Sequence, residues 1–170
     1  VEATCDRIMI INKGKIVAEC IYDSIERINN KYYLIKTENK LFGIAGIDGI
    51  VIQPEYNIIR YDSIKNIFLL INNEYAIIFD IVQGVLSKNP LSNDIKKIFR
   101  NYDEYEAISF DINNIIYYDE NNGFGVYNHK KSKIIISPDK KYSNNIFLNK
   151  SFIFLSHYGI YDNEGNLIFQ

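Results

Sequence analysis

Tryptophan is absent from this 170-residue chain, methionine occurs once, cysteine and histidine twice each, and proline three times. Each shortage closes off a class of answer. Cys5 and Cys20 are too few for a disulfide framework, and neither has a histidine or second cysteine at zinc-ligand spacing, so both read as reduced packing residues. There is no surplus of positive charge: 19 Lys and Arg stand against 21 Asp and Glu, for a net charge of −2. That removes the basic stripe by which nucleic-acid binders are usually known. No apolar run reaches the roughly 18–20 residues of a membrane-spanning helix.

What remains is apolar and strand-forming. Hydrophobic residues make up 47% of the chain and charged residues 24%, the balance of a globular protein, and the length predicts one domain with one core. Asn, Ile and Lys are plentiful, and the fourteen tyrosines fit strands, where aromatic residues are favoured. The first residue is valine rather than an initiator methionine, as expected of a piece of a longer polypeptide. The cytoplasm is the favoured setting.

The chain is organised around Leu41–Tyr56, an apolar strand, an Asp48-Gly49 turn, a second apolar strand and Pro54. Asp-Gly supplies the positive φ angles of a tight hairpin, and a proline without an N–H suits a strand end or edge. Imperfect copies recur over approximately residues 5–25, 31–60, 66–91, 114–146 and 151–170. The pairs Phe42-Gly43, Tyr75-Ala76, Phe124-Gly125 and Tyr158-Gly159 open the same strand in successive copies. All three prolines, Pro54, Pro90 and Pro138, follow the next strand, and Cys20 takes that place in the first copy. The spacing is about 33–34 residues, except for about 49 between the second and third pairs. The surplus over 92–112 predicts an insertion, with a helix cap at Asn93-Asp94, a helical stripe Ile95, Ile98 and Phe99, and an added strand over Glu106–Phe110.

These units resemble the WG (or KWG) repeat family, whose copies carry a Trp-Gly strand, an Asp/Lys-Gly turn and an Ile-Val-Ile-Pro-Pro-x-Tyr strand. The match is fullest from Phe42-Gly43-Ile44 through Ile50-Val51-Ile52-Gln53-Pro54-Glu55-Tyr56 and covers most of the chain. Here Phe or Tyr replaces every Trp, and one proline stands where the family often has two. The family is defined by its repeat rather than by a shared reaction. Residues 1–19 also resemble the tail of an ABC-transporter ATPase beyond its switch histidine, where a Glu-Ala-x-Cys-Asp-Arg helix leads into an Ile-Ile-Asn-Lys-Gly-Lys-Ile-Val-Ala hairpin. Gly14-Lys15 is no P-loop, because Met9 and Ile16 stand where Gly and Ser or Thr are needed.

The expected fold is therefore all-β: repeated antiparallel meanders of three to four strands, propeller-like or a β-solenoid. Continuous apolar runs at Ile67–Ile71, Ile77–Phe79 and Ile134–Ile136 predict strands buried on both faces, covered by neighbouring copies. The small residue after each aromatic is expected where a ring or backbone comes close.

Polar candidates each have a structural explanation. His129 and His157 fall in different copies; Ser156-His157 in a strand would point to opposite faces, which does not make a nucleophile–base pair. Asp103, Glu104 and Glu106, with Asp119 and Glu120, read as solvated loop charges rather than metal ligands or acid–base pairs. Tyr32-Tyr33 and Tyr117-Tyr118 occupy matching strands as blade packing or, alternatively, an aromatic ligand platform. The sequon Asn149-Lys150-Ser151 reads as chance in an Asn-rich chain. No catalytic, cofactor or metal site is expected. The leading expectation is a non-enzymatic scaffold with a protein or peptide partner; the alternatives are an accessory region of an ABC-type ATPase and a glycan or cell-envelope binding module.

Overall fold

A computed structural model of the chain describes residues 8–12, 15–20, 22–100, 109–142, 146–149 and 151–170. It falls into two compact units, Val1–Tyr61 and Asp62–Gln170. In chain order the strands are β1 (Ile8–Asn12), β2 (Lys15–Cys20), β3 (Tyr22–Arg27), β4 (Tyr32–Thr37), β5 (Phe42–Gly46), β6 (Gly49–Tyr56), β7 (Ile58–Asp62), β8 (Ile67–Ile71), β9 (Tyr75–Asp80) and β10 (Gly84–Pro90). Helix α1 (Asn93–Arg100) follows, then β11 (Ser109–Phe110), β12 (Asn114–Asp119), β13 (Gly123–Asn128), β14 (Lys133–Asp139), β15 (Ile146–Leu148), β16 (Phe152–Leu155), β17 (Gly159–Asp162) and β18 (Leu167–Phe169). After the β1–β2 hairpin, each group of four consecutive strands forms one sheet: β3-β4-β5-β6, β7-β8-β9-β10, β11-β12-β13-β14 and β15-β16-β17-β18. Every strand pair with a resolved register is antiparallel. The chain is thus a series of four-stranded meanders, as the repeats predict.

The repeat is visible in the register as well as in the sequence. In all four sheets the fourth strand carries one extra residue against the third, at Val51, Leu86, Ile135 and Ile168. A bulge increases local twist and bends an edge strand. The three prolines lie in β6, β10 and β14, each the edge strand of its sheet, where a missing N–H breaks no ladder bond. In the first and third sheets a second register shift accompanies Pro54 and Pro138, and glycine stands opposite, at Gly43 and Gly125. The second sheet pairs Ala76 with Asn89 and Tyr75 with Pro90 without that shift. A Cβ on Gly43 would fall 2.7 Å from the Ile52 carbonyl oxygen and 2.8 Å from the Pro54 nitrogen. Among these three sheets glycine stands where the doubly bulged strand folds over the third, and alanine where it does not.

Asparagine and aspartate close the turns. The side-chain oxygen of Asn29 accepts from the N–H groups of Lys31 and Tyr32, Asp62 from Ile64 and Lys65, Asn72 from Glu74 and Tyr75, and Asp80 from Val82 and Gln83. Asp111, Asp119 and Asp162 do the same farther along. Such side chains mimic a backbone turn and satisfy N–H groups that a tight hairpin would leave open.

The helix predicted in the insertion forms. Ile95 and Phe99 are buried and Ile98 half-buried, the stripe expected from their spacing. Its cap lies one residue earlier than expected, because the Ser92 carbonyl accepts the first helical bond, from Lys96 N–H. The strand expected over Glu106–Phe110 is described only at Ser109–Phe110. There it is the first strand of the third sheet, as β3, β7 and β15 are of theirs, rather than an addition.

Inside the second unit the third and fourth sheets stack. Ile116, Val126 and Ile136 on one face of the third pack with Ile146, Ile153 and Leu155 of the fourth. Buried amides pin the stack: Asn114 Nδ2 donates to Asn163 Oδ1 at 2.8 Å, and Asn128 Nδ2 donates to both Asn114 Oδ1 and the Asn163 carbonyl at 3.1 Å. Lys131 and Lys133 pair with Glu164 across the same seam. β8 is buried at every position, as its continuous apolar run predicts.

Candidate interaction surface

β16 reads Phe-Ile-Phe-Leu, apolar at every position, so both of its faces need cover. Only one has it. Ile153 and Leu155 are 0% and 1% exposed in the core, while Phe152 and Phe154 between them are 37% and 39% exposed. Residues paired across antiparallel strands project to the same side, and successive residues alternate. The register therefore places Phe147, Phe154, Ile160 and Phe169 in one row across all four strands of the sheet. Phe147 is 58% and Phe169 68% exposed, and the Phe147 and Phe154 rings lie 6.1 Å apart. Phe152 flanks the row, opposite Asp162.

Aligning the third strands through Phe124-Gly125 and Tyr158-Gly159 gives this row a counterpart in the third sheet: Ser109, Ile116, Val126 and Ile136, which are paired in register. That counterpart is the row the fourth sheet covers, with Ile116 and Ile136 at 6% and Val126 at 0% exposure. The same position in the repeat is sealed in one copy and open in the next.

The polar candidates go elsewhere. His129 is fully buried; its Nδ1 lies 3.3 Å from Asn89 Nδ2, and its backbone N–H bonds to the Asn113 carbonyl. Removal from water lowers its pKa to about 4 despite the nearby Asp111 and Ile112 carbonyls, which favour the protonated ring. It is a neutral packing group at neutral pH. Ser156 and His157 form the turn between β16 and β17, with His157 at φ 69°, rather than lying along a strand. Asp119 spends its carboxylate on the β12–β13 turn, and Glu120 is exposed beside it. Asp103, Glu104 and Glu106 lie outside the described residues. Among the described residues no three His, Cys, Asp or Glu side chains gather as a metal site would require.

Tyr117 is fully buried against Gly125, while Tyr118 leans on Phe124 with ring centroids 4.9 Å apart, so this pair forms no exposed ladder. Tyr32 and Tyr33 are half-buried. Tyr32, with Lys31, walls an open hollow of about 350 Å³ beside the Asp48-Gly49 turn of the first unit. Asn149 of the sequon accepts from Ser151 N–H in the β15–β16 turn.

No protein-family model matches the chain, and no curated protein is similar to it. The row of phenylalanines carried no sequence signal of its own. In a strand that is apolar throughout, hydropathy does not show which face is covered, and only the register and the neighbouring sheet reveal it.

Proposed function

We propose that the chain is a non-enzymatic, WG-type repeat scaffold whose apolar sheet faces make protein contacts, that of the fourth sheet among them. One observation carries this reading: the row Phe147–Phe154–Ile160–Phe169 is apolar across all four strands, and its counterpart in the preceding sheet is a contact face covered by a meander. Aromatic anchors near the centre of a contact, with few charges among them, are what protein–protein interfaces concentrate. Among the described candidates, His129 serves the core and His157 and Asp119 serve turns, which supports a binding role.

A photo-crosslinking amino acid at position 147 or 169, set against one at the exposed Ile64 in the β7–β8 turn, tests the reading in cell extract. Discrete protein adducts from 147 and 169 and none from 64 are expected. Equal labelling at all three positions, or none, overturns it.

A further inference from the structure

Where the third sheet gives way to the fourth, two tyrosine rings and a carboxylate surround the ammonium of a lysine. Tyr142 belongs to the 3-10 turn Lys140–Tyr142 after β14, and Tyr158 ends the turn between β16 and β17. Their rings meet edge to face, with centroids 5.3 Å apart and planes at 75°. Lys141 Nζ lies over both rings, 5.2 Å from the Tyr142 centroid and 5.4 Å from that of Tyr158, and it pairs with Asp139 Oδ2 at 3.0 Å. From these contacts we infer that the corner is a binding site for a quaternary ammonium cation, with Lys141 as its tethered stand-in.

The spacing favours a methylated nitrogen over a bare one. Carbon atoms pack at about 3.5–4.0 Å, so a nitrogen 5.2 and 5.4 Å from two centroids leaves a layer that an N-methyl group would fill against each ring. A primary ammonium also carries three N–H donors, and the corner offers it one carboxylate oxygen. A quaternary ammonium has no N–H to satisfy, and ring faces attract it through their negative charge. The other lysines stacked on aromatics differ. Lys88 stands 4.4 Å over Tyr75, and Lys36 5.6 Å over Phe42, with one aromatic wall each among the described contacts.

The walls do not depend on the lysine. Tyr142 and Tyr158 are partly buried against the cluster of Ile116, Val126, Ile136 and Ile153, which fixes the rings whether or not a cation lies between them. Lys141 and Asp139 are each close to half exposed, so the corner opens to solvent on their side. What holds Lys141 is weak: a surface ion pair and cation–π contacts at an exposed site. The lysine therefore competes with a ligand rather than excluding it.

Choline titrated into the full chain, and followed by the NMR signals of Asp139, Lys141, Tyr142 and Tyr158, tests the site. The wild type is expected to bind weakly, and Lys141→Ala about threefold tighter or more, because the stand-in no longer competes. Asp139→Asn and Tyr142→Leu are each expected to weaken binding by about threefold or more. Circular dichroism checks that the variants fold, and Asp139→Asn, at the surface, keeps the test open if Tyr142→Leu does not. Lys88→Ala, which bares the Tyr75 ring, should bind no better than the wild type. The neutral isostere of choline, with a tert-butyl group in place of the trimethylammonium, should leave the signals unmoved. Failure of choline to shift them even in Lys141→Ala overturns the site. Equal binding of the neutral isostere, or binding indifferent to Asp139→Asn and Tyr142→Leu, overturns it as well.

Discussion

Gly125 lies beneath the ring of Tyr117, so that a methyl group there would fall 2.8 Å from both the Cζ and the hydroxyl oxygen of the tyrosine and 2.9 Å from the Ile136 carbonyl oxygen. Tyr117 is fully buried and cannot swing out without opening a hole. Gly125→Ala is expected to cost about 1–3 kcal/mol, the usual range for an overfilled core. Gly43→Ala should cost at least as much, because the three atoms closest to the added methyl are all backbone, from Ile52 and Pro54, and no side chain can turn aside. Ala76→Gly, in the sheet without the second shift, should lose only about 0.5–1 kcal/mol of backbone entropy. Urea unfolding midpoints of the three variants give the comparison.

Those positions also show how far the residue string could be read. The aromatic–small pairs and the three prolines located the third and fourth strand of every sheet, because a close approach demands a small residue and an edge tolerates a proline. The phase of the sheets was harder. The first strand of each follows the proline of the copy before it, or Cys20 for β3, so β3 and β7 pair forward into the next meander. Sequence similarity marks the period of a repeat and not where one sheet ends. The open row in the fourth sheet was not legible at all, since Phe147, Phe154 and Phe169 sit in strands apolar on both faces.

His129 makes stability depend on pH. Its folded pKa is about 4, below the ordinary 6.5, so the unfolded chain binds the proton first as pH falls. The neutral ring costs nothing above pH 6.5; the penalty grows as pH drops through that value and levels off below pH 4. The loss is of order 3 kcal/mol across that window. Asp62, Asp139 and Asp162, whose pKa values are held below the usual 3.8, lose their own contributions only at lower pH. Unfolding free energies of the wild type and His129→Gln at pH 7, 5.5, 4.5 and 3 separate the two. The slope between pH 6.5 and 4 should flatten in the variant, while the loss below it persists.

The turn asparagines should differ sharply from their neighbours. Asn72 holds the N–H groups of Glu74 and Tyr75 at 2.9 and 2.8 Å, whereas Asn73 is an exposed residue of the same turn. Asn72→Ala removes two hydrogen bonds worth about 1 kcal/mol each, so a loss of about 1–2 kcal/mol is expected. Asn72→Asp keeps the acceptor and should recover most of it, and Asn73→Ala should stay within about 0.5 kcal/mol of the wild type. Thermal midpoints rank the three.

Ile153 and Phe154 are neighbours in β16 that face opposite ways, and together they distinguish core from contact surface. Ile153 is 0% exposed among Val126, Ile136 and Leu155, so Ile153→Ala leaves a cavity and should cost about 2–5 kcal/mol. Phe154 is 39% exposed, with Phe147 as its ring neighbour. In dilute, monomeric protein Phe154→Ala should cost about 1 kcal/mol or less, the worth of that ring contact. Chemical unfolding checks this: the midpoint of Ile153→Ala should fall well below wild type, while that of Phe154→Ala should stay close to it. A Phe154→Ala midpoint as low as that of Ile153→Ala would mean that the ring is held by more than its contact with Phe147.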